Sequence, residues 1–255
     1  MTIEICQFPC LSDNYGYLVR DKSSGAVAAI DTPDADAINA VLEEKGWRLT
    51  HILNTHWHPD HAGGNLALKE RWGCRIFAPQ GERDKIPGVD EAVAEGDIVT
   101  LGDTKARVID TPGHTSGHII YYFRDDSAAF VGDTIFALGC GRLFEGTPED
   151  MWSSLSKVAA LPGDTKLYCA HEYTLANARF AVTVDPENAA LKKRVSEIEA
   201  MRAQGQATVP TTLSEECATN PFLRAEDAGL KRAIGMEGDN AIAVFAEIRK
   251  RKDRF

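Results

Sequence analysis

His56, Trp57, His58, Pro59, Asp60 and His61 follow one another in the chain. His56, His58 and Asp60 stand two residues apart, so an extended backbone aims all three at one side. Imidazole nitrogens and a carboxylate oxygen are donors that a transition metal takes. A lone histidine is more often a satisfied core or surface residue, but histidines and an aspartate in this spacing point to metal binding. Six residues do not close a catalytic site alone, and further donors follow one pattern elsewhere. His114 comes after the strand candidate Arg107–Asp110, Asp133 after Ala128–Val131, and His171 after Lys166–Cys169. Each is a polar residue at the exit of an apolar strand, beside Gly or Ala. Taken singly, such an aspartate is a turn or cap residue. Repeated, the placement is that of an active site along one edge of a sheet stack. His51, at the start of a strand candidate, is expected to face solvent. His118 is expected to make a structural hydrogen bond.

The elements that must position these donors are short strands, rich in Val, Ile and Tyr and bounded by Gly, Pro, Asp or Ser. The candidates are Ile3–Phe8, Tyr15–Arg20, Ala26–Asp31, His51–Asn54, Arg75–Ala78, Ile98–Leu101, Arg107–Asp110, Ile119–Phe123, Ala128–Val131 and Lys166–Cys169. Helical spacing appears in Ala35–Lys45, where Ile38, Val41 and Leu42 share a face, and again in Gly64–Trp72 and Pro148–Leu161. After Glu172 the apolar residues recur at three- and four-residue intervals, as in Asn188–Arg202, and the closing stretch Asp239–Lys252 is helical again. This predicts a mixed α/β domain over residues 1–172 and a small helical domain over 173–255.

A formal net charge of -10 disfavours generic binding to nucleic acid or an anionic membrane, which asks for a basic footprint. The 44% apolar content supports a sizeable core. None of the six cysteines forms a CxxC pair, and they read as small buried hydrophobes. The first twenty residues carry no secretory pattern, and no apolar run approaches the ~18 residues of a membrane helix. A cytoplasmic monomer is expected.

The run Thr55 to Asn65 resembles the metallo-β-lactamase superfamily, whose motif is HxHxDH. Thr111 to His118, Gly132-Asp133-Thr134 and His171-Glu172-Tyr173-Thr174 are similar to one branch of it, glyoxalase II or hydroxyacylglutathione hydrolase. Ser12-Asp13-Asn14-Tyr15, Asn220-Pro221-Phe222 and the basic end Arg249–Lys252 share that likeness. The resemblance implies an α/β (α+β) fold, a four-layer αββα sandwich with a C-terminal helical domain that binds glutathione. It also implies two divalent metal ions, zinc first, with iron or manganese equally suited to the donors. One ion would take His56, His58 and His114. The other would take Asp60, His61 and His171, with Asp133 bridging. Asp60 and Asp133 would be the catalytic carboxylates beside a metal-bridging hydroxide. The glutathione contacts carry over to Arg142, Phe144, Tyr173, Arg249 and Lys252. Arg142 stands where Lys is usual, Phe144 where Tyr is common, and Ala170 where Gly commonly precedes the histidine.

The activity implied is hydrolysis of S-(2-hydroxyacyl)glutathione thioesters, typically S-D-lactoylglutathione, in methylglyoxal detoxification. Two metals ~3.5–4 Å apart can share a water and lower its pKa toward neutrality. That suits a chain with no GxSxG elbow. Rivals on the same scaffold are a lactonase, a β-lactamase, an RNA-processing nuclease or a persulfide dioxygenase. The helical extension argues against them, and the acidic charge argues further against a nuclease. A binding protein with a structural metal would more often use a closed set of four ligands rich in cysteine.

Overall fold

In a computed structural model that describes residues 2–255, the chain divides into two compact units. The first runs to Asp110 and adds Thr115–Gly132; the second is Thr111–His114 with Asp133–Phe255.

The first unit begins with β1 (Ile3–Cys10) and β2 (Asn14–Asp21), antiparallel in the register Ile3↔Asp21 to Cys10↔Asn14. β3 (Val27–Ile30) pairs antiparallel with β2, and the sheet then turns parallel through β4 (Leu49–Leu53), β5 (Arg75–Pro79) and β6 (Glu91–Val93). Parallel neighbours need crossovers. The first is α1 (Ala35–Lys45), started by the Asp34 carboxylate, which accepts from the Asp36 and Ala37 N–H groups. The second contains α2 (Pro59–Ala62) and α3 (Asn65–Trp72). Ile38 and Leu42 of α1 and Leu68 of α3 pack on Val27, Ala29, Leu49, Ile52 and Ile76 in one buried cluster. Both crossovers leave from the ends of strands, and the segment His56–His61 lies on the second one.

The same unit holds an antiparallel ladder of β7 (Ile98–Leu101), β8 (Thr104–Asp110), β9 (Ile119–Phe123) and β10 (Ala128–Gly132). One of its ties to the first sheet is the buried Asp21 carboxylate. It accepts from the Ser23 and Ser24 hydroxyls, the Thr104 hydroxyl at 2.9 Å and the Asp103 N–H at 3.1 Å.

The second unit opens with a short ribbon, β11 (Ile135–Phe136) against β12 (Gly139–Cys140). α4 (Pro148–Ala159) starts at a reciprocal cap between Thr147 and Asp150. β13 (Lys166–Cys169) leads to α5 (Thr174–Val184) and α6 (Ala189–Ala203). β14 (Thr211–Thr212) pairs with β13, and α7 (Leu213–Thr219), α8 (Ala228–Ile234) and α9 (Ala241–Asp253) complete the chain. Leu138, Ala178, Ala181, Leu191 and Ile198 form a core between the ribbon, α5 and α6. Arg194 of α6 and Glu216 of α7 make a buried ion pair.

The strand candidates coincide with observed strands to within a few residues, and α1 spans the residues expected of it. β6, the β11–β12 ribbon, β14 and the short α2 were outside the expectation, while α5, α7 and α8 fall in the region expected to be helical without having been singled out. His51 corrects another expectation. It lies inside β4, half-buried, its ring stacked on Phe77 at 5.6 Å, because β4 begins two residues earlier at Leu49. Among the described residues no helix is long and apolar enough to cross a membrane.

Asp21 makes the stability of this frame acid-sensitive. Burial alone would raise its pKa, but the hydrogen bonds from Ser24, Asp103 N–H and Ser23 hold it below the usual carboxylate range. A carboxylate depressed on folding stabilises the fold above its unfolded pKa, about 3.9, and that contribution is lost as pH falls further. Asp21→Asn is therefore expected to lower the thermal midpoint at neutral pH and to flatten its decline below about pH 4. Melting curves across pH 2–7 check this; a parallel decline in both proteins would remove Asp21 from the acid response.

Candidate metal centre

In the first unit, the donor segment leaves β4 through Asn54 and Thr55, both fully buried. Asp31, at the exit of β3 with φ 57°, lies beside it and decides how two imidazoles are protonated. Its carboxylate accepts from the Thr55 N–H at 2.7 Å and from the Thr55 hydroxyl at 2.8 Å. It also accepts from His61 Nδ1 at 2.9 Å, so His61 presents the lone pair of Nε2. The Thr55 hydroxyl has one proton, which goes to Asp31. At 3.0 Å from His56 Nδ1 it therefore accepts, and His56 too presents Nε2. His56 Nε2 and His58 Nδ1 face each other at 3.0 Å. His61 Nε2 is 3.3 Å from Asp60 Oδ2, and that oxygen accepts from Asn14 Nδ2 at 3.2 Å.

The loop that carries these donors is tied down by amides and by one buried acid. Asn54 Nδ2 donates to the His61 carbonyl at 2.9 Å, and Asn65 Nδ2 donates to Asn54 Oδ1 at 2.8 Å. Glu82 accepts from the Trp57 N–H, between two donor histidines, at 2.8 Å and from the Gly117 N–H at 2.9 Å. His118, expected to serve structure, is fully buried and stacks on the His56 ring at 4.8 Å. Gly132 lies against it: a Cβ there would come within 2.7 Å of both His118 Nε2 and Thr55 Oγ1.

The second unit supplies His114, Asp133 and His171, all buried. His114 Nδ1 donates to the Arg142 carbonyl at 2.9 Å, which again puts the ring's lone pair on Nε2. That nitrogen is 3.3 Å from Asp133 Oδ2, while His171 Nε2 is 3.4 Å from Asp133 Oδ1. Each oxygen of one carboxylate thus serves a different histidine, the disposition of a bridging ligand. The Arg142 carbonyl can approach because Gly141 has no side chain; a Cβ there would meet the Asp133 carbonyl oxygen at 2.0 Å.

The first unit thus gathers His56, His58, Asp60 and His61, and the second gathers His114, Asp133 and His171, the seven residues that the sequence reading offers as donors. The donor chemistry fits a divalent metal. Nitrogens each about 2.0–2.1 Å from a tetrahedral ion stand roughly 3.3 Å apart, close to the separations seen here. Cysteine supplies no alternative chemistry. Burial pushes the Cys140 thiol up to about 11 and the Cys10 thiol up to about 12, far from a thiolate at neutral pH.

The expected substrate contacts all belong to the second unit, and they differ in character. Phe144 is 62% exposed and sets its edge on the His114 ring at 5.2 Å. Tyr173 stacks flat on the His171 ring, 4.7 Å away. Arg142 is exposed. Arg249 is buried: its Nη1 donates to the Cys140 carbonyl at 3.0 Å, its Nη2 pairs with Asp253 at 2.8 Å, and its guanidinium lies on the Phe222 ring. Lys252 donates to the Ala176 carbonyl at 3.2 Å between the Phe180 and Phe255 rings. Burial, then the charges of Arg249 and Arg142, push its ammonium down to about 8. An anion placed there would relieve that repulsion.

Sequence reasoning missed Asp31 and Glu82. Asp31 follows an apolar strand as Asp133 does, and that shared placement could have singled it out. Glu82 carries no comparable signal.

Two family profiles match in succession: the metallo-β-lactamase superfamily over residues 16–171 and the hydroxyacylglutathione hydrolase C-terminus over 172–255. The hydroxyacylglutathione hydrolase of Hyphomonas neptunium is 60% identical over 253 residues, covering 99% of this chain and 98% of that one. That of Methylococcus capsulatus is 55% identical and covers 99% of both. Among solved structures, ETHE1 from Myxococcus xanthus superposes with a TM-score of 0.70 at 25% identity, over 98% of this chain and 90% of its own. The fold is the metallo-β-lactamase fold with mixed α/β sheets and a C-terminal helical region, and in that setting the His/Asp groups mark a binuclear metal site. Matched over residues 16–255 by the two profiles in succession and over 99% of its length by its relatives, the chain belongs to the hydroxyacylglutathione hydrolase family of the metallo-β-lactamase superfamily.

Proposed function

We propose that this chain hydrolyses S-(2-hydroxyacyl)glutathione thioesters, S-D-lactoylglutathione above all, to a 2-hydroxy acid and glutathione. The observation that carries the reading is the Asp133 carboxylate with one oxygen on His114 and the other on His171, in a chain of this family. His56, His58 and His114 would hold one ion and Asp60, His61 and His171 the other, with Asp133 shared. When bound, two such ions supply Lewis acidity and an ionised water. Zinc is the first choice; iron and manganese also accept a nitrogen and oxygen donor set without thiolate.

The chain's own residues do the rest. Asp31 and the Arg142 carbonyl hold the imidazole protons away from the ligating nitrogens. Asp60 and Asp133 bring the negative charge that two dications need. Arg142 and Lys252, with Arg249 behind them, make a positive region for the carboxylates of glutathione, and Phe144 and Tyr173 flank it. Phe144 offers a face and no hydroxyl, so it contributes apolar contact alone. A thiol of pKa roughly 8.5 leaves as thiolate without a strong general acid. In this reading residues 1–172 carry the chemistry and 173–255 the glutathione binding. It works as a cytoplasmic monomer, a compartment consistent with six cysteines of which none is in a disulfide.

The activity is tested by following glutathione release from S-D-lactoylglutathione, with a lactone and a cephalosporin as alternative substrates. Turnover of the thioester at least a hundred-fold above both is expected, a ratio of about 2.7 kcal/mol in transition-state binding; equal turnover of the lactone would refute the assignment.

Lys252 makes a pH prediction. Its cation is intact below about 8 and is lost above it, so KM for the glutathione thioester should rise as pH passes through 8. Uniform binding appears in KM and leaves kcat unmoved. Lys252→Met should raise KM at pH 7 and flatten its rise above pH 8. An unchanged KM profile in that variant would take Lys252 out of substrate binding.

A further inference from the structure

The Asn220-Pro221-Phe222 motif has no part in the metal or substrate contacts above, yet Asn220 is fully buried. What it grips is the hairpin formed by β11 and β12. One end of that hairpin is Asp133. The other is Arg142, whose carbonyl accepts the His114 Nδ1 proton. The ends are tied together where the Gly141 N–H donates to the Thr134 carbonyl at 3.3 Å. Between them the ribbon pairs only Ile135 with Cys140 and Phe136 with Gly139. Strands of two residues have no stability of their own. At the tip Leu138 sits at φ 57°, a left-handed conformation that strains a residue with a side chain.

The shape of the hairpin is therefore imposed by its surroundings, and four side chains from the helical part of this unit hold its backbone. Asn220 Nδ2 donates to the Phe136 carbonyl at 3.1 Å and to the Gly139 carbonyl at 3.0 Å, so one amide spans both strands of the last register pair. Its Oδ1 accepts from the Phe222 N–H at 3.0 Å, which fixes the orientation of the amide. Asn177 Nδ2 donates to the Ala137 carbonyl at 3.1 Å. Glu216 accepts from the Leu138 N–H at 2.9 Å and holds the tip in its strained conformation. Arg249, resting on Phe222, takes the Cys140 carbonyl.

We propose that Asn220, assisted by Asn177, is a positioning residue for the metal ligands, acting through this hairpin on Asp133 and on the carbonyl that orients His114. The proposal rests on the metal reading above. It assigns to the helical region a second task beside substrate binding: setting metal affinity from residues that touch no ligand.

The test uses the full-length protein loaded with zinc. Zinc affinity is measured by competition with a chromophoric chelator in the parent, Asn220→Ala, Asn177→Ala and Leu230→Ala. Leu230 is a buried α8 residue that makes none of these hydrogen bonds and serves as a control for general destabilisation. Thermal melting and the visible spectrum of the cobalt-substituted proteins accompany each titration. Loss of an outer support for a ligand typically lowers metal affinity about 10–100-fold. Asn220→Ala is expected in that range with an altered cobalt spectrum, Asn177→Ala to fall in the same direction by less, and Leu230→Ala to melt earlier with the parent's affinity and spectrum. Should Asn220→Ala not fold, Asn177→Ala decides. A folded asparagine variant with parent affinity and spectrum overturns the proposal, as does an equal affinity loss in Leu230→Ala. A parent that binds fewer than two ions would instead refute the metal reading beneath it.

Discussion

An imidazole can offer one nitrogen to an ion only if the proton on its other nitrogen has a fixed place to go. That requirement organises the centre of this protein. Asp31 settles it for two rings at once, directly for His61 and through the single proton of the Thr55 hydroxyl for His56. The Arg142 carbonyl settles it for His114. None of these acceptors is near its histidine in sequence except Thr55. Each is delivered by the exit of a strand or the end of a hairpin, which is why a stack of short strands with long connections suits the chemistry.

The same logic separates the two cations at the chain's end. Arg249 and Lys252 stand three apart on α9 and share a helix face. Arg249 spends its donors on Cys140 and Asp253, so its removal would loosen the fold around β12 as well as any substrate contact. Lys252 donates to one carbonyl and feels the charges of Arg249 and Arg142 more than that of Asp253, the condition in which an incoming carboxylate has most to offer. A net charge of -10 over the whole chain is no obstacle. In the proposed reading, what an anionic substrate would meet is the local field of Arg142, Arg249 and Lys252.

Much of this was legible in the sequence. The two-residue spacing of His56, His58 and Asp60, and the repeated strand exit before His114, Asp133 and His171, single out the donors that the structure groups. Long periodic elements such as α1 were equally plain. What escaped has physical reasons. The β11–β12 ribbon and β14 are two residues per strand and exist through tertiary hydrogen bonds, which leave no pattern. α5 reads TLANARFAVTV; its exposed side is Ala176, Arg179 and Thr183, and with one charge among them no strongly polar face set it apart within the helical region. Glu82 and Asp31 are acids whose partners are backbone and hydroxyl groups distant in sequence, and charge alone does not announce them. The burial of Arg249 was likewise invisible in a run of four basic residues.

In the proposed reading the seven His and Asp donors serve two ions, and the chemistry needs both. The most direct measurement removes metal from the purified protein with a chelator and restores zinc in steps. Bound metal per chain is counted by elemental analysis, and thioester turnover is followed in the same samples. The account requires activity to reach its plateau at two ions per chain. Full activity at one ion per chain, or activity that survives complete removal of metal, would contradict it.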